Sequence, residues 1–369
     1  MFDFVPLQQY EPSFHIAILF LVLLLIWQCH VGSVLKKNVA TLNATWGVFV
    51  TILLILYIGL RPISDAFGDT INYAKGFNEY ASSKNPFSIS FTNEWAFTNL
   101  FSWFAKYSDI HSFFLICAIL YVGSLWLACY RIFKNYYYFP LIIFFAMFTF
   151  WAYGVNGIRN GIGASLFILA ISYANHLPTM LCLAFFSTGF HNSTYLMIGA
   201  AILAWYIKNS YLYLTGWIAC LFLSYAIGGR IQSLLLSIGF LAENERFAGY
   251  LTGSNMAGEI VQMSMVFRWD FVIYSLIGVA VGYYFIFIRY YKDEYYHWIY
   301  NIYLATNAFW LLVIRAAYSN RFAQISWFIL PLVLIYPFMK KRFWDNHEKM
   351  LGYAIIVFYA FSFYTNILK

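Results

Sequence analysis

Long apolar runs alternate with short polar connections along the whole chain. The runs lie at about 14–35, 46–60, 111–132, 138–153, 160–175, 178–190, 192–207, 211–228, 270–290, 296–316, 323–340 and 350–367. Most are long enough to cross a bilayer as helices, whereas those within 160–207 are short, which suits tilted, broken or re-entrant spans lined by protein. The pattern predicts an all-α integral membrane protein, a single polytopic domain over 1–369, with about twelve transmembrane helices. No internal repeat indicates the duplicated halves common in transporters.

The composition agrees with a membrane protein. Of the 369 residues, 62% are hydrophobic and only 10% are charged, which excludes a soluble domain of this length. The net charge of +7 does not indicate nucleic acid, because the basic residues are spread over the connections between apolar runs. The aromatic content of 23% exceeds what membrane interfaces need, so we expect some rings to stack on sugars. The five cysteines lie in predicted helices without a CxxC pair and are interpreted as small apolar residues.

Basic residues predict the orientation. With the N-terminus outside, the shorter loops hold eleven basic residues on the cytoplasmic side and three outside, as the positive-inside rule requires. Two longer loops, 61–110 and 229–269, then lie outside the cytoplasm. Most arginines fall on that outer side: Arg61, Arg159, Arg230, Arg246, Arg268, Arg315 and Arg321. Because a guanidinium matches phosphate oxygens, this distribution indicates an anionic substrate bound from outside.

The two outer loops are predicted to carry short amphipathic helices. Residues 65–80 form one on the membrane surface, and the helical spacing of aromatic and apolar residues indicates another over 94–107. In the second loop, 230–241 is predicted to be helical and 253–258 to be mobile. These are either ordinary surface loops or a lid over a site at the outer mouth of the helices.

The connection after the second run carries two carboxylates. Asp65, Asp69 and Asn72 are spaced i, i+4 and i+7, so one helix would place them on one face, with Arg61 as the nearest cation. They form either a solvated, capped helix start or a site where a carboxylate orients sugar hydroxyls or accepts a proton. A metal is weakly indicated, since no DxD motif or further ligand accompanies them.

A glycine-rich segment opens the fifth run. Gly157, Gly161 and Gly163 allow close approach of backbone or ligand, and Arg159 at a helix start favours an anion. The alternative is tight helix packing with a snorkelling arginine. We favour a contact with pyrophosphate.

His191 lies between two short runs, on the predicted outer side. A histidine there can act as a base or donate a hydrogen bond to phosphate. Alternatively, it is a helix-junction residue bonded to the backbone.

Two arginines flank the turn before the eleventh run. Arg315 and Arg321 can share the oxygens of one diphosphate, with Tyr318 between them, or bind lipid head groups. Arg246 and Arg268 are weaker candidates, and Asp270 can simply pair with Arg268. No Walker loop, HExxH motif or CxxC set is present, so we predict no cofactor.

The ordered motifs resemble those of the EpsG-like branch of Wzy-type bacterial polysaccharide polymerases. They span about 55–325 and comprise Gly59-Leu-Arg61-Pro-Ile-Ser-Asp65, Asp69-Thr-Ile-Asn-Tyr73, Gly157-Ile-Arg159-Asn160-Gly-Ile, Phe190-His191-Asn192-Ser193 and Tyr318-Ser-Asn-Arg321. The resemblance implies a GT-C-type glycosyltransferase in the bacterial cytoplasmic membrane. It would polymerise undecaprenyl-diphosphate-linked repeat units into capsule, exopolysaccharide or O-antigen, at a site facing the periplasm or exterior. A flippase and a chain-length regulator of the same pathway are possible partners.

This chemistry assigns expected roles. The arginines would neutralise the diphosphate leaving group and converge in one cavity: Arg159, Arg315, Arg321 and Arg61. The base would be Asp69 or His191, with Asp65 as third choice. Other contacts with the glycan are expected from Asn72, Tyr73, Asn160, Tyr318, Arg246 and Arg268. A lipid-linked oligosaccharide flippase, an O-antigen-type ligase and a membrane acyltransferase are the alternatives.

Overall fold

A computed structural model describes residues 4–83, 86–237, 249, 251–252 and 266–368, and within them the chain is helical without strands. This confirms the predicted all-α class. The helices are α1 Leu7–Val31, α2 Lys37–Gly59, α3 Thr70–Ser82, α4 Trp95–Tyr107, α5 Ile110–Tyr136, α6 Tyr138–Phe145, α7 Phe150–Val155, α8 Ile158–Ile171, α9 Leu177–Thr188, α10 Thr194–Tyr206, α11 Ser210–Ser237, α12 Trp269–Ile288, α13 Glu294–Leu312, α14 Ser319–Lys340 and α15 His347–Leu368.

Seven of the described helices are long and apolar enough to cross a membrane: α1, α2, α5, α11, α12, α14 and α15. The apolar helices α8, α9 and α10 have 14, 12 and 13 residues. At about 1.5 Å per residue they are shorter than a hydrocarbon core of about 30 Å. The run predicted at 138–153 is divided into α6 and α7. The protein is therefore a multi-pass helical membrane protein, and helix length alone does not confirm twelve crossings.

The chain forms two compact units, unit 1 of Met1–Tyr195 with Phe338–Lys369 and unit 2 of Leu196–Pro337. In unit 1, α1 packs against α15, α2 against α5, and α9 against α8. Polar groups join α1 to α2: the amides of Gln28 and Asn43 bond reciprocally at 3.2 and 2.9 Å. In hydrocarbon such a pair satisfies groups that would otherwise lack water, and it fixes the register of the two helices.

Apolar side chains on the outer face of α1 point away from the rest of unit 1. Phe20 is 68% exposed and Trp27 60% exposed. In water such a surface would be unfavourable, but it suits contact with lipid. The helix ends at Val31, and the next residue, Gly32, has a positive φ of 66° that closes the last turn.

Unit 2 is organised around a buried amide. The Asn307 side chain of α13 donates to Ser275 Oγ at 3.0 Å and to Ser326 Oγ at 2.8 Å, and it accepts from Trp217 Nε1 at 2.7 Å. These partners belong to α12, α14 and α11, so one side chain ties four helices together. Because all its groups are bonded, the amide can be buried without a large desolvation penalty.

The outer-loop helices are confirmed in part. Helix α4 covers most of 94–107 and buries Phe97 and Phe104 at the predicted spacing. The helix predicted over 65–80 is interrupted, because Gly68 has a φ of 59° between a 3₁₀ turn and α3. In the second loop, the described part of 230–241 is helical, as predicted, and it is joined to the preceding part of α11 across the non-helical residue Ile227. Residues 253–258 and Arg246 lie outside the described residues.

Candidate functional site

An ion pair between Arg159 and Glu94 forms the centre of a charged cluster in unit 1. Arg159 Nη1 lies 2.6 Å from Glu94 Oε2. The carboxylate is nearly buried, at 4% exposed, whereas the arginine side chain is 30% exposed. A charge-assisted hydrogen bond of this length holds the guanidinium in place while part of it faces the outside of the protein.

Glu94 is positioned by contact between two helix ends. It precedes α4 with a left-handed φ of 58°, and the next amides, of Ala96 and Phe97, donate to Gly189 O at 2.9 and 3.1 Å. Gly189 follows the end of α9, so the start of α4 satisfies a carbonyl at that end. A Cβ on Gly189 would lie 2.7 Å from the Cβ of Ala96, so only glycine permits this approach.

His191 lies on the other side of the same carboxylate. Its Nε2 is 3.8 Å from Glu94 Oε1. The backbone amide of Ser193 donates to His191 Nδ1 at 3.1 Å, so a neutral ring carries its proton on Nε2, which faces the carboxylate. His191 therefore bonds to the backbone, as one interpretation predicted, and it also faces a carboxylate, as the other interpretation requires.

Asn160 connects the histidine to α8. Its Oδ1 accepts a hydrogen bond from Ser193 Oγ at 2.9 Å, and its Nδ2 donates to Tyr153 Oη at 3.3 Å. Asn160 follows Arg159 directly, so these bonds also fix the helix turn that carries the arginine. Through these two bonds, Asn160 positions the side chains of Ser193 and Tyr153.

Tyr73 lies between opposite charges. Burial raises the pKa of its hydroxyl, the positive charge and hydrogen bond of Arg159 oppose that rise, and Asp69 adds to it. The ring of Phe97 is 5.7 Å from the Tyr73 ring, and Arg159 Cζ is 5.4 Å from the Phe97 centroid. Tyr73 therefore remains a protonated hydrogen-bonding group next to the arginine.

Asp69 is exposed and precedes α3. Its amide donates to Asn156 Oδ1 at 3.0 Å, and its carboxylate accepts from Asn72 Nδ2 at 3.3 Å. The prediction that Asp65, Asp69 and Asn72 share one helical face is wrong, because the turn at Gly68 separates Asp65 from α3. A Cβ on Gly68 would lie only 2.6 Å from Cγ and Oδ1 of Asn156, so this turn requires glycine.

Arg61 lies inside unit 1 and is only 1% exposed. Its guanidinium donates to Thr70 Oγ1 at 2.9 and 3.1 Å and to the carbonyl oxygens of Ile58 and Val155 at 2.7 and 3.3 Å. Burial lowers its pKa to about 10, which leaves it charged at neutral pH. These contacts do not suit the diphosphate-binding role predicted for Arg61. The residue instead fixes α3 against the ends of α2 and α7.

The glycines near Arg159 provide close helix packing. A Cβ on Gly161 would lie 2.8 Å from Tyr153 O, and one on Gly163 would lie 2.9 Å from Thr194 Cγ2. The alternative interpretation of these glycines therefore holds, whereas Arg159 and Asn160 of the same motif lie at the charged cluster.

The remaining predicted residues lie in unit 2. Arg268 forms a bidentate pair with Asp270, at 3.0 and 2.7 Å, as its spacing suggested. Arg321 is exposed, and its Cζ is 4.9 Å from the Tyr318 ring. Arg315 contacts Gly228 and lies 5.6 Å from the Phe267 ring. Convergence of Arg159 with Arg315 and Arg321 on one diphosphate stays a prediction.

Sequence reasoning missed Glu94. The available signal was an acidic residue at the start of the predicted helix over 94–107, where the helix dipole favours a carboxylate. Here, however, the side chain makes no cap hydrogen bond and turns towards Arg159. Its partner is 65 residues away in sequence, so local patterns could not identify the pair.

The fold and the cluster define a multi-pass helical membrane protein with arginine, carboxylate and histidine side chains gathered at helix ends. The EpsG family model matches residues 44–369, and the chain therefore belongs to the EpsG family. This membership supports a membrane polysaccharide-polymerase-like function. Searches of curated proteins and of solved structures found no match.

Proposed function

We propose that this protein is a GT-C-type glycosyltransferase that polymerises undecaprenyl-diphosphate-linked oligosaccharide repeat units into a surface polysaccharide. The reaction takes place at the outer leaflet of the bacterial cytoplasmic membrane, and the chain crosses that membrane about twelve times. The observation that carries the proposal is the partly exposed guanidinium of Arg159, which Glu94 holds in place. Next to it lies Tyr73, whose hydroxyl is influenced by the charges of both Arg159 and Asp69. The family membership supports the same class of reaction.

The chemistry requires two functions from the protein. The bond between the anomeric carbon and the diphosphate oxygen breaks, the acceptor hydroxyl oxygen bonds to that carbon, and its proton passes to a base. The lipid diphosphate leaves with an additional negative charge. A fixed cation must therefore face the leaving oxygen, and a base must face the acceptor.

Arg159 supplies the cation in this proposal. Glu94 fixes the guanidinium before substrate arrives, so little reorganisation is needed when negative charge develops. Arg315 and Arg321, which lie in unit 2, stay predicted diphosphate-binding residues. Arg61 is excluded from this role because its guanidinium is buried against Thr70 and backbone carbonyls.

Asp69 is the better candidate for the base. Its carboxylate is exposed at the start of α3, where an acceptor sugar can approach it. His191 is 18% exposed, and its two nitrogens face Ser193 and Glu94. This supports a positioning role for His191, acting through Glu94, and leaves Asp65 as the third choice.

The decisive experiment is elongation in vitro. Purified protein is incubated with the lipid-linked repeat unit from its own strain, without nucleotide sugar or ATP, and the products are sized on a gel. We expect a ladder with the wild type and its loss in Arg159→Ala.

Arg342→Ala is the matched control. Arg342 lies in the connection from α14 to α15, where it donates to the carbonyls of Trp344 and Asp345. The control should retain the ladder. If authentic substrate yields no ladder but the protein moves lipid-linked oligosaccharide across liposomes, the chain is a flippase and the proposal fails. Transfer of finished glycan to another acceptor, without elongation, would identify a ligase.

A further inference from the structure

A pocket of about 430 Å³ lies in unit 2 where helix α11 is interrupted. The backbone at Ile227, with φ −134° and ψ 21°, is not helical, although helix continues on both sides. The pocket is lined by residues around this interruption and by one arginine that follows α13: Tyr225, Ala226, Ile227, Gly228, Gly229, Arg230 and Arg315. Its size lies within the range of small-molecule sites, about 300–1,000 Å³.

Arg315 reaches the pocket because residue 228 is glycine. A Cβ on Gly228 would lie 3.1 Å from Arg315 Nε and 3.2 Å from its Cδ. The arginine stem therefore lies directly against the backbone of α11, and a larger residue would displace it. Arg230 is exposed on the same helix two residues further on.

The pocket is suited to an anion. Two guanidinium groups line it, and among the described residues that line it none is acidic. In addition, the helix resumes after Ile227, and the first N–H groups of a helical segment carry partial positive charge. Two guanidinium groups can bind several oxygens of one diphosphate at once.

Two exposed aromatic rings pack against Phe267, the buried ring next to Arg315. Arg315 Cζ lies 5.6 Å from the Phe267 ring, which is 5.7 Å from Tyr225 and 4.6 Å from Trp269. Tyr225 is 60% exposed and Trp269 is 49% exposed. Such rings offer a flat apolar face with a polar edge, which matches the C–H face of a sugar ring.

We infer that this pocket binds a diphosphate ester that carries a sugar, with Arg230 and Arg315 on the diphosphate and Tyr225 and Trp269 against the sugar. The inference rests on the proposed function and adds Arg230, Tyr225 and Trp269 to its substrate-binding residues. A phosphodiester head group of the bilayer shares the anionic chemistry but lacks the diphosphate and the sugar.

The test measures binding, not polymerisation. Full-length protein in phosphatidylcholine nanodiscs is titrated calorimetrically with farnesyl diphosphate and with farnesyl diphosphate carrying one N-acetylglucosamine. Arg230→Ala should weaken both ligands about tenfold or more, since it removes a charge-assisted contact. Gly228→Ala should act in the same direction by displacing Arg315, and Trp269→Ala should weaken only the sugar-bearing ligand.

Lys292→Ala is the matched control, because it removes an exposed cation from the connection between α12 and α13, away from the residues that line the pocket. It should leave both dissociation constants unchanged. The inference is overturned if Arg230→Ala binds both ligands as the wild type does, or if Lys292→Ala weakens them as much as Arg230→Ala does. It is also overturned if phosphatidylglycerol in the nanodisc abolishes binding, since the pocket is then a head-group site. Each of these results leaves the elongation assay, and with it the proposed polymerase, unaffected.

Discussion

Arg159 and Glu94 are 65 residues apart in the sequence, yet their side chains meet at 2.6 Å with the carboxylate nearly buried. Removing either partner leaves a charge in a poorly solvated position, so the pair couples the stability of unit 1 to the geometry of its charged cluster.

Replacing Glu94 should reduce both stability and activity. In Glu94→Gln the side chain keeps its shape but no longer balances Arg159, and a lost charged partner typically costs about 1–3 kcal/mol. We expect a lower midpoint of thermal unfolding in detergent and weaker elongation. Glu79→Gln removes an exposed carboxylate from α3 and should change neither. Equal unfolding midpoints for Glu94→Gln and the wild type would contradict the assigned role of the pair.

Asp69 and His191 should differ in what their loss affects. Asp69→Asn should reduce the elongation rate about 10²- to 10⁴-fold, the usual contribution of a general base. It should not lower the unfolding midpoint of the protein, because Asp69 is exposed. His191→Asn should reduce the rate less, because it acts through Glu94. Glu79→Gln is the control, since Glu79 is an exposed carboxylate of α3 with no assigned role in the reaction. A larger rate loss in His191→Asn than in Asp69→Asn would make the histidine the base.

Gly189 should tolerate no side chain. An added Cβ would lie 2.7 Å from Ala96 Cβ and 2.8 Å from Trp95 Cε2, so Gly189→Ala should push α4 away from α9 and displace Glu94. Both elongation and the unfolding midpoint should fall. Gly199→Ala, within α10, meets no atom within 4 Å and should be neutral or slightly stabilising, as expected for alanine in a helix. Similar behaviour of the two variants would exclude the close contact at Gly189.

Arg61 should behave as a structural residue. Arg61→Lys keeps the charge but cannot reproduce the fork that bonds Thr70 and two carbonyls, so the unfolding midpoint should fall. The affinity for lipid-linked substrate should be unchanged in the protein that remains folded. Arg159→Lys should show the reverse, with weaker substrate binding and a smaller change in midpoint. Loss of affinity in Arg61→Lys at an unchanged midpoint would return this arginine to the binding site.

Local patterns predicted a considerable part of this structure. The spacing of apolar and aromatic residues over 94–107 predicted α4, and the nearby charges of Arg268 and Asp270 predicted their pairing. Helical geometry fixes which face of α4 its side chains share. The Arg268–Asp270 pair depends instead on two opposite charges that are close in sequence at the start of α12. The turn at Gly68 was missed because a single glycine in a polar stretch is compatible with both a helix and its interruption.

The sequence by itself determined that the chain is a multi-pass helical membrane protein, because long apolar runs can satisfy their backbone polar groups in lipid only as helices. It also indicated which motifs carry charge. Only the tertiary structure decided that Arg61 is buried, that Glu94 holds Arg159, and that Arg230 and Arg315 line one pocket. A guanidinium has the same composition in a core and in a binding site. Its role depends on which distant groups approach it, and that is set by how the helices pack.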